Sequence, residues 1–491
     1  MKTKNFLVLL LAILLFENVS TAQIKFRKVI GSSGYDYGVC AQQTLDSGYI
    51  VLGSTSSFGG GNTDIYLVKT DSLGIPQGHQ MIGGINIDRG TCVKQTTDKG
   101  FIISGYTNSF GAGGYDFYLI KVDSTYNVTW TKTYGGTNWD FANCVEQTND
   151  GGYIVCGETF SYGNGDEDYY IVKTNSLGDT VWTKTYGGLY QDVAKSIIQT
   201  SDGNYLVTGT SKSLGDIDGD FFTIKLNTSG DSLWSNRFGG TSADFGNDVI
   251  ESMFGGYLLT GETKSFGAGN AYGVLVKISS LGITDSMKTL GGTLDDSFYS
   301  VVEDADGKVA MLGTSKSFGD SGGNGDLIFY TLKSDWSYYG LTTFGGLKKD
   351  EGFSVAPTFD NAFIICGTTK SFSTTSIEDI YLIKTDTLCL ATIAENTILT
   401  EIEDVDNSLN GKLNVFPNPA NQTATIDVSF FEDSITIEVT NVMGETIYVE
   451  CVKKGSETTY ALPLDLYSNG IYLLKVSDKS RVETQKIIIV H

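Results

Sequence analysis

Histidine and arginine are scarce in this chain, which excludes several kinds of active site. The 491 residues include two histidines, so a Ser-His-Asp or Cys-His system would depend on His79 alone. Arginine occurs only at positions 27, 89, 237 and 481. No Walker loop, zinc-spaced Cys/His cluster or G-x-S-x-G elbow is present. Catalysis therefore has little support, although the paired carboxylates of a polysaccharide-degrading enzyme would need none of these features.

Positive charge is also in deficit. Lysine and arginine together number 34 against 57 aspartates and glutamates, which gives a formal net charge of −23. The summed negative field repels phosphate groups, and few guanidinium groups are available to bind them. The sequence therefore predicts no nucleic-acid partner and no anionic membrane surface as a partner.

Long apolar runs are missing beyond the N-terminal segment. There, Lys2 begins a basic stretch, residues 6–16 are apolar, and the small residues Ser20 and Ala22 suit a cleavage site. This apolar run is too short to span a bilayer. The sequence predicts a signal peptide over residues 1–22 and no transmembrane segment in the mature chain.

Glycine, tyrosine and phenylalanine are abundant, with 60, 27 and 26 residues, as is typical of turn-rich β proteins. A large apolar residue followed by glycine recurs every 52 residues, except for a last step of 54. These marker residues are Ile30, Ile82, Tyr134, Tyr186, Phe238, Leu290 and Phe344. Each unit has room for four short strands, which is the pattern of a propeller blade.

The two ends of the repeat array predict how the ring closes. Residues 24–31 are similar to the fourth strand of other units, such as residues 128–135, whereas the seventh unit loses the pattern after its third strand. We expect the N-terminal strand to complete the last blade. The fold class predicted is all-β: a seven-bladed β-propeller (residues 23–391), an acidic linker (392–411) and a small Ig-like β-sandwich (412–491).

An aspartate stands six positions after the marker in every unit: Asp36, Asp88, Asp140, Asp192, Asp244, Asp296 and Asp350. Seven carboxylates on one face could surround a cation or a sugar. Alternatively, each accepts backbone N–H bonds and shapes its own turn. Strict repetition favours the structural role, because a ligand site generally needs asymmetry.

Two glycine-rich loops on the same predicted face carry closely spaced carboxylates, and they are the candidate metal sites. The residues concerned are Asp166, Asp168, Asp216, Asp218 and Asp220. Calcium prefers such oxygen ligands, but neither loop has the twelve-residue pattern with a terminal glutamate, so solvated acidic loops are the alternative. We predict no other cofactor and no catalytic residue. Because these loops vary between units, we expect any ligand to bind there.

Cysteine gives no clear disulfide framework. Cys40, Cys92 and Cys144 share one repeat position, and serine or aspartate replaces them in the other units. We interpret this position as a buried site for a small side chain rather than as a redox or metal site. Cys144 and Cys156 lie on the two arms of one predicted hairpin, and they form the candidate disulfide.

The last 80 residues carry four motifs in a recognisable order. They are Asn414-Val415-Phe416-Pro417-Asn418-Pro419-Ala420, Val439-Thr440-Asn441-Val442-Met443-Gly444, Asn469-Gly470-Ile471-Tyr472-Leu473-Leu474-Lys475-Val476 and Gln485-Lys486-Ile487-Ile488-Ile489-Val490. This segment resembles the type A C-terminal sorting domain of the type IX secretion system of Bacteroidetes. The resemblance implies interaction of residues 412–491 with that secretion machinery, and a secreted or outer-membrane surface-attached protein.

Three functions fit these features. The first is a non-catalytic surface or secreted propeller that binds a glycan or a protein. The second is a secreted, carboxylate-dependent enzyme acting on polysaccharide, and the third is a structural component of the envelope. Exposed aromatic residues beside the acidic loops would favour glycan binding, whereas two carboxylates facing each other in a cleft would favour the enzyme.

Overall fold

The computed structural model describes most of residues 25–389 and parts of the remaining chain. The gaps in the first stretch are residues 60, 268–269, 320–321, 374 and 376. Beyond it, the described residues are 397–399, 415–416, 423–428, 431, 434–441, 446–453, 459–464, 467, 470–478 and 482–489. The predicted signal peptide lies outside them. The chain divides into two compact units, residues 1–400 and 401–491.

The first unit is a series of four-stranded antiparallel sheets, as the repeat predicts. After β1 (Phe26–Ile30), six consecutive sheets each use four successive strands. Blade 1 contains β2 (Asp36–Gln43), β3 (Tyr49–Thr55), β4 (Asp64–Thr70) and β5 (Pro76–Ile82). Blade 2 contains β6 (Asp88–Gln95), β7 (Phe101–Thr107), β8 (Asp116–Val122) and β9 (Val128–Tyr134). Blade 3 contains β10 (Asp140–Gln147), β11 (Tyr153–Thr159), β12 (Asp168–Thr174) and β13 (Thr180–Tyr186).

The next three blades repeat this arrangement. Blade 4 contains β14 (Asp192–Gln199), β15 (Tyr205–Ser211), β16 (Asp220–Leu226) and β17 (Ser232–Phe238). Blade 5 contains β18 (Asp244–Glu251), β19 (Tyr257–Thr263), β20 (Tyr272–Ile278) and β21 (Thr284–Leu290). Blade 6 contains β22 (Asp296–Glu303), β23 (Val309–Ser315), β24 (Asp326–Leu332) and β25 (Tyr338–Phe344).

The seventh sheet joins the two ends of the array, which confirms the predicted closure. It contains β26 (Asp350–Pro357), β27 (Phe363–Thr369) and β28 (Asp379–Lys384), with β1 antiparallel to β28. A further strand, β29 (Thr397–Leu399), pairs parallel with the other edge of β1. These three residues lie in the segment that we expected to be linker. The N-terminal strand therefore has a neighbour on both sides along Lys28 to Ile30, which covers that part of its outer edge.

Burial within each blade explains the sequence pattern. All seven residues of β12 are buried, whereas those of β13 are exposed or half-buried. The two middle strands of a blade face neighbouring blades on both sides and are accordingly rich in Ile, Val, Leu, Tyr and Phe. One apolar cluster, for example, combines Leu67 of blade 1 with Ile103 of blade 2. The core of this unit therefore lies between blades.

The second unit has the two antiparallel sheets of a small sandwich. One sheet contains β30 (Val415–Phe416), β31 (Thr423–Asp427) and β34 (Thr459–Pro463). The other contains β32 (Ile435–Asn441), β33 (Thr446–Val452), β35 (Gly470–Ser477) and β36 (Val482–Ile489). Alternate residues such as Ile435, Ile437 and Val439 enter one buried cluster together with Ile426 and Leu474. This period of two is expected for strands with one buried face.

Candidate functional site

The seven recurring aspartates are structural, as strict repetition suggested. Each is buried and accepts a hydrogen bond from the backbone N–H four residues before it; Gly136 N to Asp140 Oδ2 is 2.8 Å. In every blade but blade 4, the serine hydroxyl of the next loop also donates to this carboxylate, as Ser161 does to Asp140 at 2.7 Å. The carboxylates thus tie two loops of each blade together.

The predicted calcium ligands lie in two neighbouring blades, on different loops. Asp166 and Asp218 are exposed, whereas Asp168 and Asp220 are buried as the first residues of β12 and β16. The Asp216 backbone N–H donates to Asp220 Oδ2 at 3.1 Å, and the Arg237 guanidinium approaches the same oxygen at 3.3 Å. No group of three or more acidic, cysteine or histidine side chains suited to a metal ion occurs among the described residues. Calcium binding stays a prediction.

A cavity of about 300 Å³ lies between the seven innermost strands, and we call it the axial cavity. In every blade, the register of the first two strands shifts by one residue near the middle of the first strand. Such a β-bulge re-aims the unpaired side chain. In blade 3 the bulged residue is Asn143 and in blade 4 it is Lys195, and both line the cavity.

The residue after each bulge belongs to a ring of small polar side chains around this cavity. Its members are Cys40, Cys92, Cys144, Ser196, Asp248, Ser300 and Ser354. Neighbouring blades are linked through it: Ser196 Oγ donates to Asp248 Oδ1 at 2.8 Å, and the Val301 backbone N–H donates to Asp248 Oδ2 at 3.0 Å. Burial raises the pKa of Asp248, and these hydrogen bonds oppose the shift. The structure leaves all seven cysteines unbridged, including the predicted pair Cys144 and Cys156.

Aromatic side chains gather where blades 2 and 3 meet, at the strand ends that carry the recurring aspartates. Trp139 and Phe141 flank Asp140 at the start of β10, and Tyr106 lies near the end of β7. The ring centroids of Tyr106 and Phe141 are 5.0 Å apart, and those of Trp139 and Phe141 are 6.3 Å apart. We call this group the aromatic sector; it comprises Tyr106, Tyr115, Trp139, Phe141 and Phe160.

A second group of aromatic residues lies at the same strand end of blade 1, and both groups reach solvent. The Arg89 guanidinium lies 5.6 Å from the ring centroid of Tyr37, which stacks on Tyr35. Trp139 is 54% exposed and Tyr35 is 50% exposed. A cation over an aromatic face and open rings together form an amphipathic surface with fixed geometry.

The carboxylate of Glu158 lies between the aromatic sector and the axial cavity. Glu158 stands opposite Phe141 in the β10–β11 register, and it accepts a hydrogen bond from Asn143 Nδ2 at 2.6 Å. Burial raises the pKa of Glu158, Lys195 and Asn143 oppose that shift, and the negative charge of Glu167 adds to it. Ring faces and hydrogen-bonding groups therefore lie side by side.

Blades 4 to 6 carry different residues at the positions of the aromatic sector, and we call these positions the opposite sector. They are Gln191, Val193, Thr210, Lys212 and Gly219 in blade 4, Ala243, Phe245, Glu262, Lys264 and Ala271 in blade 5, and Asp295, Ser297, Thr314, Lys316 and Gly325 in blade 6. Phe245 is the single aromatic residue among them. The asymmetry expected of a ligand site therefore lies along these strand ends.

The sequence led us to expect the ligand in the variable glycine-rich loops, such as those with Asp166 and Asp216, and not at the strand ends where the aromatic sector lies. A signal was present, because Trp139 and Phe141 flank an invariant position of the repeat. The single candidate base, His79, lies on β5, the outermost strand of blade 1, and does not line the axial cavity.

Residues 414–490 match the family of secretion system C-terminal sorting domains. The protein is therefore secreted or attached to the outer-membrane surface through the type IX secretion system, and its sorting domain interacts with that machinery. No helix within the described residues is long and apolar enough to cross a membrane. No curated protein matches the chain.

Several solved structures show distant likeness to the chain. A Bacteroides caccae protein of unknown function is 14% identical, with a TM-score of 0.38, covering 57% of this chain and 89% of its own. PorZ, a surface component of the type IX secretion system of Porphyromonas gingivalis, is 13% identical, with a TM-score of 0.30 and coverage of 91% and 69%. A puromycin hydrolase is 11% identical, with a TM-score of 0.46 and coverage of 82% and 62%. All three TM-scores lie below 0.5, so none of these likenesses bears on function.

Proposed function

We propose that this secreted propeller is a non-catalytic module that binds a glycan through its aromatic sector. The observation that carries the proposal is the group of contacting rings at blades 2 and 3, with Trp139 exposed beside hydrogen-bonding side chains. Ligand sites typically combine aromatic surface with a few well-placed polar groups. Sugar rings offer apolar C–H faces and hydroxyl groups, and the aromatic sector complements both.

The negative net charge of the protein indicates which class of glycan it can bind. The chain carries a net charge of −23, and Glu158 stands opposite Phe141 of the aromatic sector. Polyanionic chains such as sulfated or uronic-acid polysaccharides would be repelled by this field. The proposed ligand is therefore an uncharged glycan.

The test is a screen of the full chain against neutral and polyanionic polysaccharides, with and without calcium. We expect neutral glycans to bind, and Trp139→Ala to weaken binding at least about tenfold, which corresponds to about 1.4 kcal/mol. Gln191→Ala changes the same repeat position in blade 4 and is the matched control; it should bind as the unmodified protein does. Equal binding by both variants would contradict the proposal.

A second candidate is a polysaccharide-degrading enzyme, favoured by the proximity of Glu158 and Glu167. The raised pKa of Glu158 would suit a general acid beside a second carboxylate. In this case the same screen would yield shortened products, and Glu158→Gln would abolish their formation. Binding without shortened products would exclude this candidate for the glycans tested.

A further inference from the structure

Three thiols form a row along one side of the axial cavity. Cys40, Cys92 and Cys144 come from the innermost strands of blades 1, 2 and 3. The Cys40 Sγ lies 3.7 Å from the carbonyl oxygen of Val93, and the Cys92 Sγ lies 3.9 Å from that of Val145. The Cys144 Sγ likewise lies 3.8 Å from the carbonyl oxygen of Ile197. Each thiol therefore contacts the residue that follows the same ring position in the next blade, which brings Cys40 toward Cys92 and Cys92 toward Cys144.

The pKa of the central thiol, Cys92, is higher than the pKa values of the two end thiols, Cys40 and Cys144. Hydrogen bonding by Cys92 lowers the pKa of Cys40 to about 6, and it also lowers the pKa of Cys144. The same hydrogen bonds raise the pKa of Cys92. The Lys94 charge helps to lower the pKa of both end thiols. An end thiol is therefore the better nucleophile, because the thiolate is the reactive form.

We propose that this thiol row is a redox-active site, in which one disulfide forms between Cys92 and either Cys40 or Cys144 on oxidation by a peroxide. Proteins exported across the inner membrane meet an oxidising environment, and the thiols line a cavity of about 300 Å³, which has room for a peroxide molecule. The inference is independent of glycan binding. The resulting bond would link two neighbouring blades and leave one thiol free.

The oxidation proceeds in two balanced steps. An end thiolate, for example that of Cys40, attacks one peroxide oxygen; the O–O bond breaks, which gives a sulfenic acid and hydroxide. The Cys92 sulfur then attacks the sulfenyl sulfur, and the S–O bond breaks as the S–S bond forms. The Cys92 proton leaves in the water released. Overall, two thiols are oxidised and hydrogen peroxide is reduced to two waters.

Cys156 is not a competing partner, although it stands opposite Cys144 in the β10–β11 register. Its side chain is fully buried in an apolar cluster, where it packs with Ile154 and Ile171. Cys156 does not line the axial cavity, so a peroxide in that cavity does not meet its sulfur. We therefore expect a disulfide between two blades and not the Cys144–Cys156 disulfide that the sequence suggested.

The test is peptide mapping of the full chain after treatment with hydrogen peroxide and alkylation of the remaining thiols. We expect a mass lower by two hydrogens, with the Cys92 peptide linked to that of Cys40 or Cys144. Cys92→Ser should abolish this link, and it is a mild change because Ser196, Ser300 and Ser354 occupy the same ring position. Cys156→Ser is the matched control and should leave the link intact.

Mapping of the unmodified protein decides the question even if a variant folds poorly. A Cys144–Cys156 link would overturn the proposal. So would conversion of the thiols to sulfinic and sulfonic acids without any link. If Cys92→Ser still lost two hydrogens on peroxide treatment, with its circular dichroism unchanged, the oxidation would belong to other cysteines, which would also contradict the proposal.

Discussion

The aromatic sector and the opposite sector occupy the same strand ends of one ring but present different chemistry. In blades 2 and 3, these positions carry Tyr106, Trp139 and Phe141, whose rings contact one another. In blade 4, the same positions carry Thr210, Gln191 and Val193. Behind both sectors, a buried aspartate accepts the same backbone hydrogen bond. The ring therefore combines a uniform scaffold with one locally distinct surface.

The largest expected effect comes from removing the strand that closes the ring. Deletion of β1 (Phe26–Ile30) would remove the pairing with β28 and the buried side chains of Val29 and Ile30. We expect the melting temperature to fall by at least about 10 °C, with loss of any glycan binding, because both sectors depend on the closed ring. Lys28→Ala keeps the strand and is the control. An unchanged melting curve after the deletion would refute closure by β1.

A smaller loss of stability is expected when the buried aspartate behind either sector is replaced, and the loss should be equal for the two sectors. Asp140→Ala removes the acceptor for Gly136 N and Ser161 Oγ, and Asp244→Ala removes the equivalent acceptor in blade 5. Each buried donor left without a partner is costly, so both variants should lose about 2–4 kcal/mol of stability. Calorimetric melting of the two variants checks this. A large effect in blade 3 alone would mean that its aspartate belongs to the ligand site.

The smallest expected effect is a pH dependence in the closing blade. Burial raises the pKa of Asp379 from 3.8 to about 6, the Ser373 hydroxyl opposes the shift, and the Asp36 charge adds to it. Because the folded state favours the protonated carboxyl, its contribution to stability is fully present below pH 3.8 and is lost as the pH rises through about 6.

Asp379→Asn should therefore reduce the dependence of the melting temperature on pH between pH 4 and pH 7 (roughly the interval spanned by the two pKa values). Blade 5 already carries an uncharged residue there, Tyr272. The exposed Asp166→Asn serves as control and should leave the profile as it is. A profile that Asp379→Asn does not alter would assign the pH dependence to other groups.

The fold could be predicted because each blade repeats the same local signals. Marker glycines, hairpin turns and apolar strands recur at fixed spacing, and residues 24–31 resemble a fourth strand closely enough to predict the closure by β1. The structural role of Asp140 and its counterparts followed from the same regularity. The three-residue strand β29 was not predicted, because so short a segment carries no periodic pattern.

The candidate site was less predictable, because it depends on contacts between blades. The bulge that directs Asn143 toward the axial cavity is a shift in backbone register. The bulged position itself carries residues as different as Asn143 and Lys195, so its residue type does not mark it in the sequence. The contact between Tyr106 and Phe141 joins residues of different repeats. The spacing of neighbouring blades sets that contact, and the sequence pattern within one blade does not determine it.

The most direct test of the central claim converts part of the aromatic sector into the opposite sector. Phe141→Val combined with Glu158→Thr gives blade 3 the cross-strand pair that blade 4 carries as Val193 and Thr210. The measurement is isothermal titration with a neutral glycan that binds the unmodified protein. We predict that binding is lost while the melting temperature changes little. Undiminished binding by this double variant would contradict the claim that the aromatic sector is the ligand site.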